Sequence, residues 1–256
     1  MDMPELFWRL HDRLPRQAPG SDATTRRLLD LARPWPDEPR IIDIGCGPGR
    51  SSLVLAGQTR GHVTAVDLHA PFLGELRAAA TAGGVAEHIT TLEASMDDLP
   101  LADGSFDLVW AEGSAYVMGF DAALGSWRRL LAPGGALVLT ECEWLTPDPS
   151  ADARAFWDAE YPAMRTTAGN VAAAMDAGWT VAATVVLPDA DWWDEYYTPI
   201  VERIEALATV DSPEDEAALA AELAEIDIRR RRGDEYAYTG YVLRPRGPRA
   251  GPLDRQ

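Results

Sequence analysis

The chain has 256 residues, 46% of them hydrophobic, enough for one large α/β unit with a substantial core. Its 23 basic and 41 acidic residues give a net charge of −18, which repels phosphate backbones and anionic lipid surfaces and argues against nucleic acid or membranes as partners. The 23 basic residues are all arginine; without lysine the chain has no Schiff-base, pyridoxal-phosphate or P-loop chemistry open to it.

Residues 1–39 precede the first strand and read as an N-terminal helical cover. Their start, Met1-Asp2-Met3-Pro4-Glu5, is acidic where a signal peptide is basic, and no apolar run of the chain reaches membrane-spanning length, so a cytoplasmic protein is expected. Leu6 to Leu10 has the pattern of an amphipathic helix. Arg16 to Ser21 is a Pro-Gly loop, and Ser21 or Asp22 caps a helix running to Leu31. The loop is either a plain cover or a flap over a bound cofactor.

Arg40-Ile41-Ile42-Asp43-Ile44 reads as a short buried strand. It breaks into Gly45, Gly47 and Gly49 and re-forms as a helix from Ser51, the nucleotide end of a doubly wound sheet. The spacing is G-x-G-x-G, which differs from the G-x-G-x-x-G that sets a pyrophosphate on a helix N-terminus. His62 to Asp67 is the second strand. An acid at that strand end can accept both ribose hydroxyls side by side, the alternative being a helix cap, and Leu68 then walls an adenine. A helix over Pro71–Ala82 stops at Gly83-Gly84, and Ile89 to Leu92 is the third strand.

Phe106 to Ala111 is the fourth strand and ends at Glu112-Gly113. A helix from Ala122 to Leu131 turns through Pro133-Gly134-Gly135 into the fifth strand, Ala136 to Glu141. Alternation puts Glu141 and Glu143 on one side and Cys142 on the other, with Glu143 and Trp144 at the mouth above the sheet. Cys46 and Cys142 lack zinc spacing, and no metal is expected. Two helices follow, Asp152–Tyr161 and Thr167–Ala177, then strands over Val181–Leu187 and Tyr236–Leu243. Between those strands, residues 188–235 form a helical insertion. Its second helix starts with Glu214, Asp215 and Glu216 and ends with Arg229 to Arg232, an order that suits the helix dipole and marks the arginines as a solvated end. Trp192, Trp193, Tyr196 and Tyr197 crowd one turn of it, either anchoring the insertion or walling a substrate. Residues 244–256, rich in Pro, Gly and Arg, read as a disordered tail.

Three motifs carry a resemblance: D-x-G-C-G-x-G over Asp43–Gly49, F-D-x-V over Phe106–Val109, and R-x-L-x-P-G-G over Arg129–Gly135. Here the chain resembles the class I S-adenosylmethionine-dependent methyltransferases, in particular the type 11 family related to the quinone-biosynthesis C-methyltransferases. The stretch from Leu187 to Pro199 is similar to a bacterial group within that family, with Pro188, Trp192, Tyr196 and Thr198 in place. The resemblance implies a seven-stranded, mostly parallel doubly wound sheet with an antiparallel last strand beside the fifth, and helices on both faces. It implies one methyltransferase domain over residues 1–243 that transfers a methyl group from S-adenosylmethionine to a small molecule by in-line displacement. It places the cofactor on Asp43, Gly45, Cys46, Gly47, Gly49, Asp67 and Leu68, with Glu112 and Gly113 near the methionine ammonium and the reacting methyl. The family's G-D-A-x-x-L-P segment is altered: Ser95 replaces the leading acid, so Asp97 takes the adenine amine and the Met96 backbone the ring nitrogen.

A general base is needed only where the nucleophile is still protonated, and the candidates are Tyr116, Glu143 and His11. Acceptor-binding candidates are Gln17, Ser21, Trp144, Trp192, Trp193, Tyr196 and Tyr197. The insertion and the N-terminal loop are expected to form a lid, the alternative being packing on the sheet edge or a homodimer contact. The expected acceptor is small, uncharged or cationic, with an aromatic or apolar body. Two other functions compete: a nicotinamide-dependent oxidoreductase, against which the glycine spacing counts, and a cofactor-binding protein without turnover.

Overall fold

Apolar strands that are buried on both faces call for helices above and below them. The computed structural model, which describes residues 4–207, 209–210 and 212–247, has that arrangement. Strands β1 (Arg40–Ile44), β2 (His62–Asp67), β3 (Ile89–Glu93), β4 (Phe106–Ala111), β5 (Leu131–Trp144), β6 (Trp179–Val186) and β7 (Tyr236–Pro245) form one sheet in the order β3-β2-β1-β4-β5-β7-β6. The first five pair in parallel. β7 lies antiparallel between β5 and β6, as expected. The order reverses between β1 and β4, and a doubly wound sheet opens its ligand crevice beyond the strand ends at that point.

Side-chain alternation sorts the core into two layers. Leu108 and Trp110 of β4, with Ala136 and Val138 of β5, pack on Leu28 and Leu55 of helices α2 (Asp22–Leu31) and α3 (Arg50–Gln58). The intervening Val109, Leu137 and Leu139 pack on the opposite layer with Leu124, Trp127 and Trp179. Helix α4 (Ala70–Ala82) covers β2 and β3, while α5 (Phe120–Trp127), α6 (Ala151–Glu160) and α7 (Thr167–Asp176) follow β4 and β5.

A third apolar cluster roofs the C-terminal edge of the sheet. It joins Leu6 and Leu10 of α1 (Glu5–His11) to Trp192, Tyr196, Ile200 and Ile226. These belong to a helical run made of α8 (Ala190–Trp192), a π-helical turn (Trp193–Tyr197) and α9 (Thr198–Glu205), and to α10 (Pro213–Arg232). The N-terminal loop is tied to the run by Gly20 N–H, which donates to the Asp191 carbonyl at 2.9 Å. Arg203 donates to the Leu10 carbonyl at 2.6 Å.

Several boundaries differ from the sequence expectation. β5 begins at Leu131 and runs through Pro133-Gly134-Gly135, with a register shift against β4 between Phe106 and Leu108. Gly134 supplies the left-handed φ of +83° that the bend requires. α5 accordingly stops at Trp127, and a 3₁₀ turn over Arg128–Leu130 leads into the strand. Arg244 and Pro245, expected in a disordered tail, extend β7 because Arg244 donates to the Gly134 and Ala32 carbonyls at 2.8 and 2.6 Å. The part of that expectation covering residues 248–256 lies outside the described residues. The arginine run closing α10 is not simply solvated: Arg229 is buried, bonded to Asp189 at 2.6 Å and to the Tyr236 carbonyl at 2.8 Å. No helix among the described residues is long and apolar enough to cross a membrane.

Candidate active site

The β1 turn is built so that backbone, not side chains, lines the crevice. Gly45 and Cys46 N–H both donate to the Val66 carbonyl, at 2.8 and 2.9 Å, which curls the chain back over β2. Gly45 and Gly49 leave no room for a side chain, since a Cβ would stand 2.5 Å from Ser114 and 2.4 Å from Leu76. Gly47 is different: at φ +55° its Cβ would meet only Gln17, at 3.7 Å, so that face is open to the cleft. Asp43 lies buried beneath the turn, where one carboxylate oxygen accepts from the Ser51 and Ser52 hydroxyls at 2.7 and 2.6 Å. Its other oxygen has no partner among the described residues, and burial pushes this carboxyl up to about 6.

Three cavities meet above the turn, and Gln17 and Gly113 line all of them. The first is a small cleft between the N-terminal loop and the glycine turn, bounded by Arg16, Cys46, Arg50 and Glu112. Arg16 is buried there and donates to Glu112 at 2.7 Å, to Thr25 at 3.1 Å and to Glu195 at 3.3 Å. Burial opposes its charge, and the carboxylates Glu112, Glu195 and Asp22 more than restore it. Glu112 also accepts from Thr25 Oγ1 at 2.7 Å and Trp110 Nε1 at 2.9 Å. Its carboxylate is therefore committed to Arg16 and the strand end, and does not stand free for an ammonium as the sequence led us to expect.

The second cavity, ≈ 270 Å³, runs along the ends of β1 and β2 between Asp67, Leu68, Phe72, Met96 and Val117. Asp67 is set by two backbone donors, Gly47 N–H and His69 N–H, each at 2.8 Å. Leu68 is 65% exposed, an apolar wall on the rim. Met96 lines this groove, whereas Ser95 and Asp97 follow β3 outside its wall, and Asp97 is exposed. The residues present fit an adenosyl group with a charged tail. The groove offers an apolar wall, a carboxylate at the strand end and a glycine face that a Cβ would fill.

The third cavity, ≈ 180 Å³, lies under the roof on the far side of Gly113. Its wall combines Tyr116, Tyr161, Tyr196 and Tyr238 with Trp157, Trp192 and Cys142, and Glu160 and Glu225 are in it. Tyr116 stands between this cavity and the groove and is half-exposed. Desolvation, then Glu225 and Glu141, hold its phenol above the usual value, so at neutral pH it is a proton donor and not a base.

Several expected site residues are placed elsewhere. Glu143 is fully buried below the mouth and saturated, accepting from Thr167 at 2.5 Å, from Asn170 at 3.0 Å and from Tyr241. Period-2 reading gave its side of the sheet correctly, but α7 covers that side. Trp144 is buried with Arg154 over its ring at 4.6 Å, outside the three cavities. His11 is buried under Phe7, its Nε2 2.8 Å from Glu222 and its Nδ1 3.2 Å from Gln17, so it orients Gln17 and does not line the cavities. Ser21 caps α2 by accepting from Thr24 N–H at 3.1 Å. Of the four clustered aromatics, Trp192 and Tyr196 line the third cavity, while Trp193 packs outward beside Arg230 and Tyr197 is buried on Glu225.

Residues that sequence reasoning missed include Arg16, Phe72, Trp157, Tyr161, Glu225 and Tyr238. Phe72 sits in the first turn of the helix after Asp67, a place that the strand–helix pattern marks. The others join the site through tertiary packing alone.

Residues 41–135 match the family model described as a methyltransferase domain. A dimethylglycine N-methyltransferase of Parasynechococcus marenigrum is 37% identical over 125 residues, 48% of this chain and 45% of that protein. A demethylmenaquinone methyltransferase of Thermus thermophilus is 38% identical over 118 residues, 45% of this chain and 52% of that one. The chain thus spans about half the length of these relatives. A methyltransferase from Geobacter sulfurreducens, solved with S-adenosyl-L-homocysteine, has the same fold: TM-score 0.82 at 19% identity, over 96% of this chain and 99% of that one.

Proposed function

We propose that the chain, whose residues 41–135 match a methyltransferase domain model, transfers a methyl group from S-adenosylmethionine to a small-molecule acceptor. The observation that carries this reading is the junction at Gln17 and Gly113, two residues shared by the walls of the groove beside Asp67, the cleft over the glycine turn and the roofed cavity. The cofactor supplies an already activated methyl. What the protein must add is alignment of the acceptor opposite the sulfur and exclusion of water, and proximity alone can lower such a barrier by roughly 7–11 kcal/mol. In this reading Asp67 takes the ribose hydroxyls, the turn from Gly45 to Gly49 carries the methionine portion, and Arg16 and Arg50 face its carboxylate. Gly113 and Tyr116 stand nearest the transferred group. The three residues expected as bases reduce to Tyr116, which positions by hydrogen bonding; Glu143 and His11 support the structure around it.

We read residues 1–39 and 188–235 as a roof belonging to the same catalytic unit, and the acceptor as a small molecule and not a nucleic acid, in keeping with the net charge of −18. Cytoplasmic residence is part of the reading, in keeping with two buried free cysteines. The relatives are named for different acceptors, dimethylglycine and demethylmenaquinone, so the acceptor here follows from the roofed cavity. Calorimetry tests the cofactor assignment. S-adenosylmethionine and S-adenosyl-L-homocysteine are expected to bind and NAD to give no heat; the reverse would turn the reading toward an oxidoreductase.

A further inference from the structure

The roofed cavity has a composition that the transfer reaction by itself does not require. Six aromatic side chains, Tyr116, Trp157, Tyr161, Trp192, Tyr196 and Tyr238, share its wall with two carboxylates, Glu160 and Glu225, and no basic side chain among the described residues is in that wall. Glu225 gives one oxygen to the Tyr197 hydroxyl at 2.5 Å, and that bond fixes the carboxylate beneath the roof. Behind Tyr161 a further carboxyl, Glu141, accepts from the Tyr161 hydroxyl; burial raises it to about 7, and its second oxygen is buried without a partner among the described residues. The cationic groups nearby are already committed: Arg229 lies 4.0 Å over the Trp192 ring with Asp189 at 2.6 Å, and Arg165 is paired with Asp121 at 2.6 Å. Tyr196 is nine-tenths buried in the wall, and its hydroxyl makes no hydrogen bond with the described residues.

Aromatic rings attract a cation through their quadrupole, most strongly where water is excluded, and uncompensated carboxylates add to that attraction. A neutral apolar acceptor would leave the half-buried Glu225, whose carboxyl desolvation already raises, with no counter-charge in the cavity, and an anion would be repelled by it. Resting on the methyltransferase reading above, we propose that this cavity receives its acceptor as a small ammonium ion, a protonated amine held among the tyrosine and tryptophan rings with Glu225 as its counter-charge and Glu160 at the entrance. Before transfer one N–H proton passes to the Glu225 carboxylate; the freed nitrogen lone pair then forms the N–C bond as the methyl–sulfur bond breaks and the sulfonium leaves as a thioether. Tyr196 and Tyr238 hydroxyls are then acceptors for the remaining N–H groups or for polar substituents on the amine.

Binding of choline and of its uncharged carbon isostere, 3,3-dimethylbutan-1-ol, tests this by calorimetry on protein saturated with S-adenosyl-L-homocysteine. The two probes have the same shape and differ in charge. The expected result is that choline binds about tenfold or more tighter, and that Glu225→Gln and Tyr196→Leu each remove most of that preference while binding of S-adenosyl-L-homocysteine is unchanged. Glu160→Gln, at an exposed position that cannot disturb folding, is expected to reduce the preference by a smaller factor. Equal affinities, no binding of either probe, or a preference untouched by all three variants would overturn the proposal. Failure of the wild-type protein to bind S-adenosyl-L-homocysteine would instead remove the methyltransferase reading on which it rests.

Discussion

Asp67 makes the clearest prediction at the scale of single residues. Its carboxylate already holds Gly47 and His69 N–H, so it is fixed before any ligand arrives. Asp67→Ala removes two charge-assisted acceptors and loosens the glycine turn together. It is expected to weaken S-adenosyl-L-homocysteine binding by about 2–4 kcal/mol, and an unchanged calorimetric affinity would reject the ribose role. Glu141 makes a prediction about stability. Burial, opposed by the Tyr161 hydrogen bond and reinforced by Glu143, raises its carboxyl from 4.5 to about 7. The folded chain therefore keeps a proton that the unfolded chain releases, so stability falls as pH rises from about 4.5 to 7. Asp43, raised to about 6, acts in the same direction over a lower window. Glu141→Gln keeps an acceptor for Tyr161 and removes the titration. Urea denaturation at pH 5 and pH 7.5 is expected to show a smaller loss of stability in the variant, by on the order of 2 kcal/mol; parallel pH profiles would contradict it. The glycine turn and Asp67 were legible in the sequence because strand, turn and strand end are local features. Glu143 was not, because alternation tells which side of a strand a residue takes but not which helix lies over that side.

The elements of the sheet were legible because each is short, apolar and bounded by glycine or proline, and the strand expected last lies antiparallel beside β5 as the family pattern implies. Boundaries moved where tertiary bonds extended a strand, as Arg244 does for β7. The roof is the element whose behaviour matters most for function. Arg16 links the end of β4 to the π-helical turn, bonded to Glu112 at 2.7 Å and Glu195 at 3.3 Å. Gly20 of the same loop and Thr24 in the first turn of α2 both donate to Asp191, at 2.9 and 2.5 Å. These bonds couple the N-terminal loop to the insertion, so the two are expected to open and close as one lid. Hydrogen exchange is expected to slow in residues 15–21 and 189–205 together when S-adenosyl-L-homocysteine binds, and to quicken in both in Arg16→Ala. Equal exchange with and without the ligand, or a response in only one segment, would mean that the roof is a static cover.

Across the whole molecule, the part matched to a methyltransferase domain, residues 41–135, carries the glycine turn, Asp67 and the β4 end, which line the groove proposed for the cofactor. The roofed cavity, proposed above for the acceptor, is assembled from residues on either side of that stretch, among them Gln17, Tyr161, Tyr196 and Glu225, as well as Tyr116 within it. Its residues are distant in sequence and share no period or spacing, which is why the cofactor was legible in the chain and the acceptor was not. Cofactor binding and turnover are therefore separable properties, and turnover bears on the central claim more directly. The measurement is transfer of label from methyl-labelled S-adenosylmethionine into a bacterial metabolite extract, fractionated into small molecules, nucleic acid and protein. Label is expected in the small-molecule fraction, in compounds retained by a cation exchanger, and is expected to fall sharply with Asp67→Ala. Label confined to nucleic acid or protein, or no transfer by a protein shown to bind the cofactor, would contradict the account.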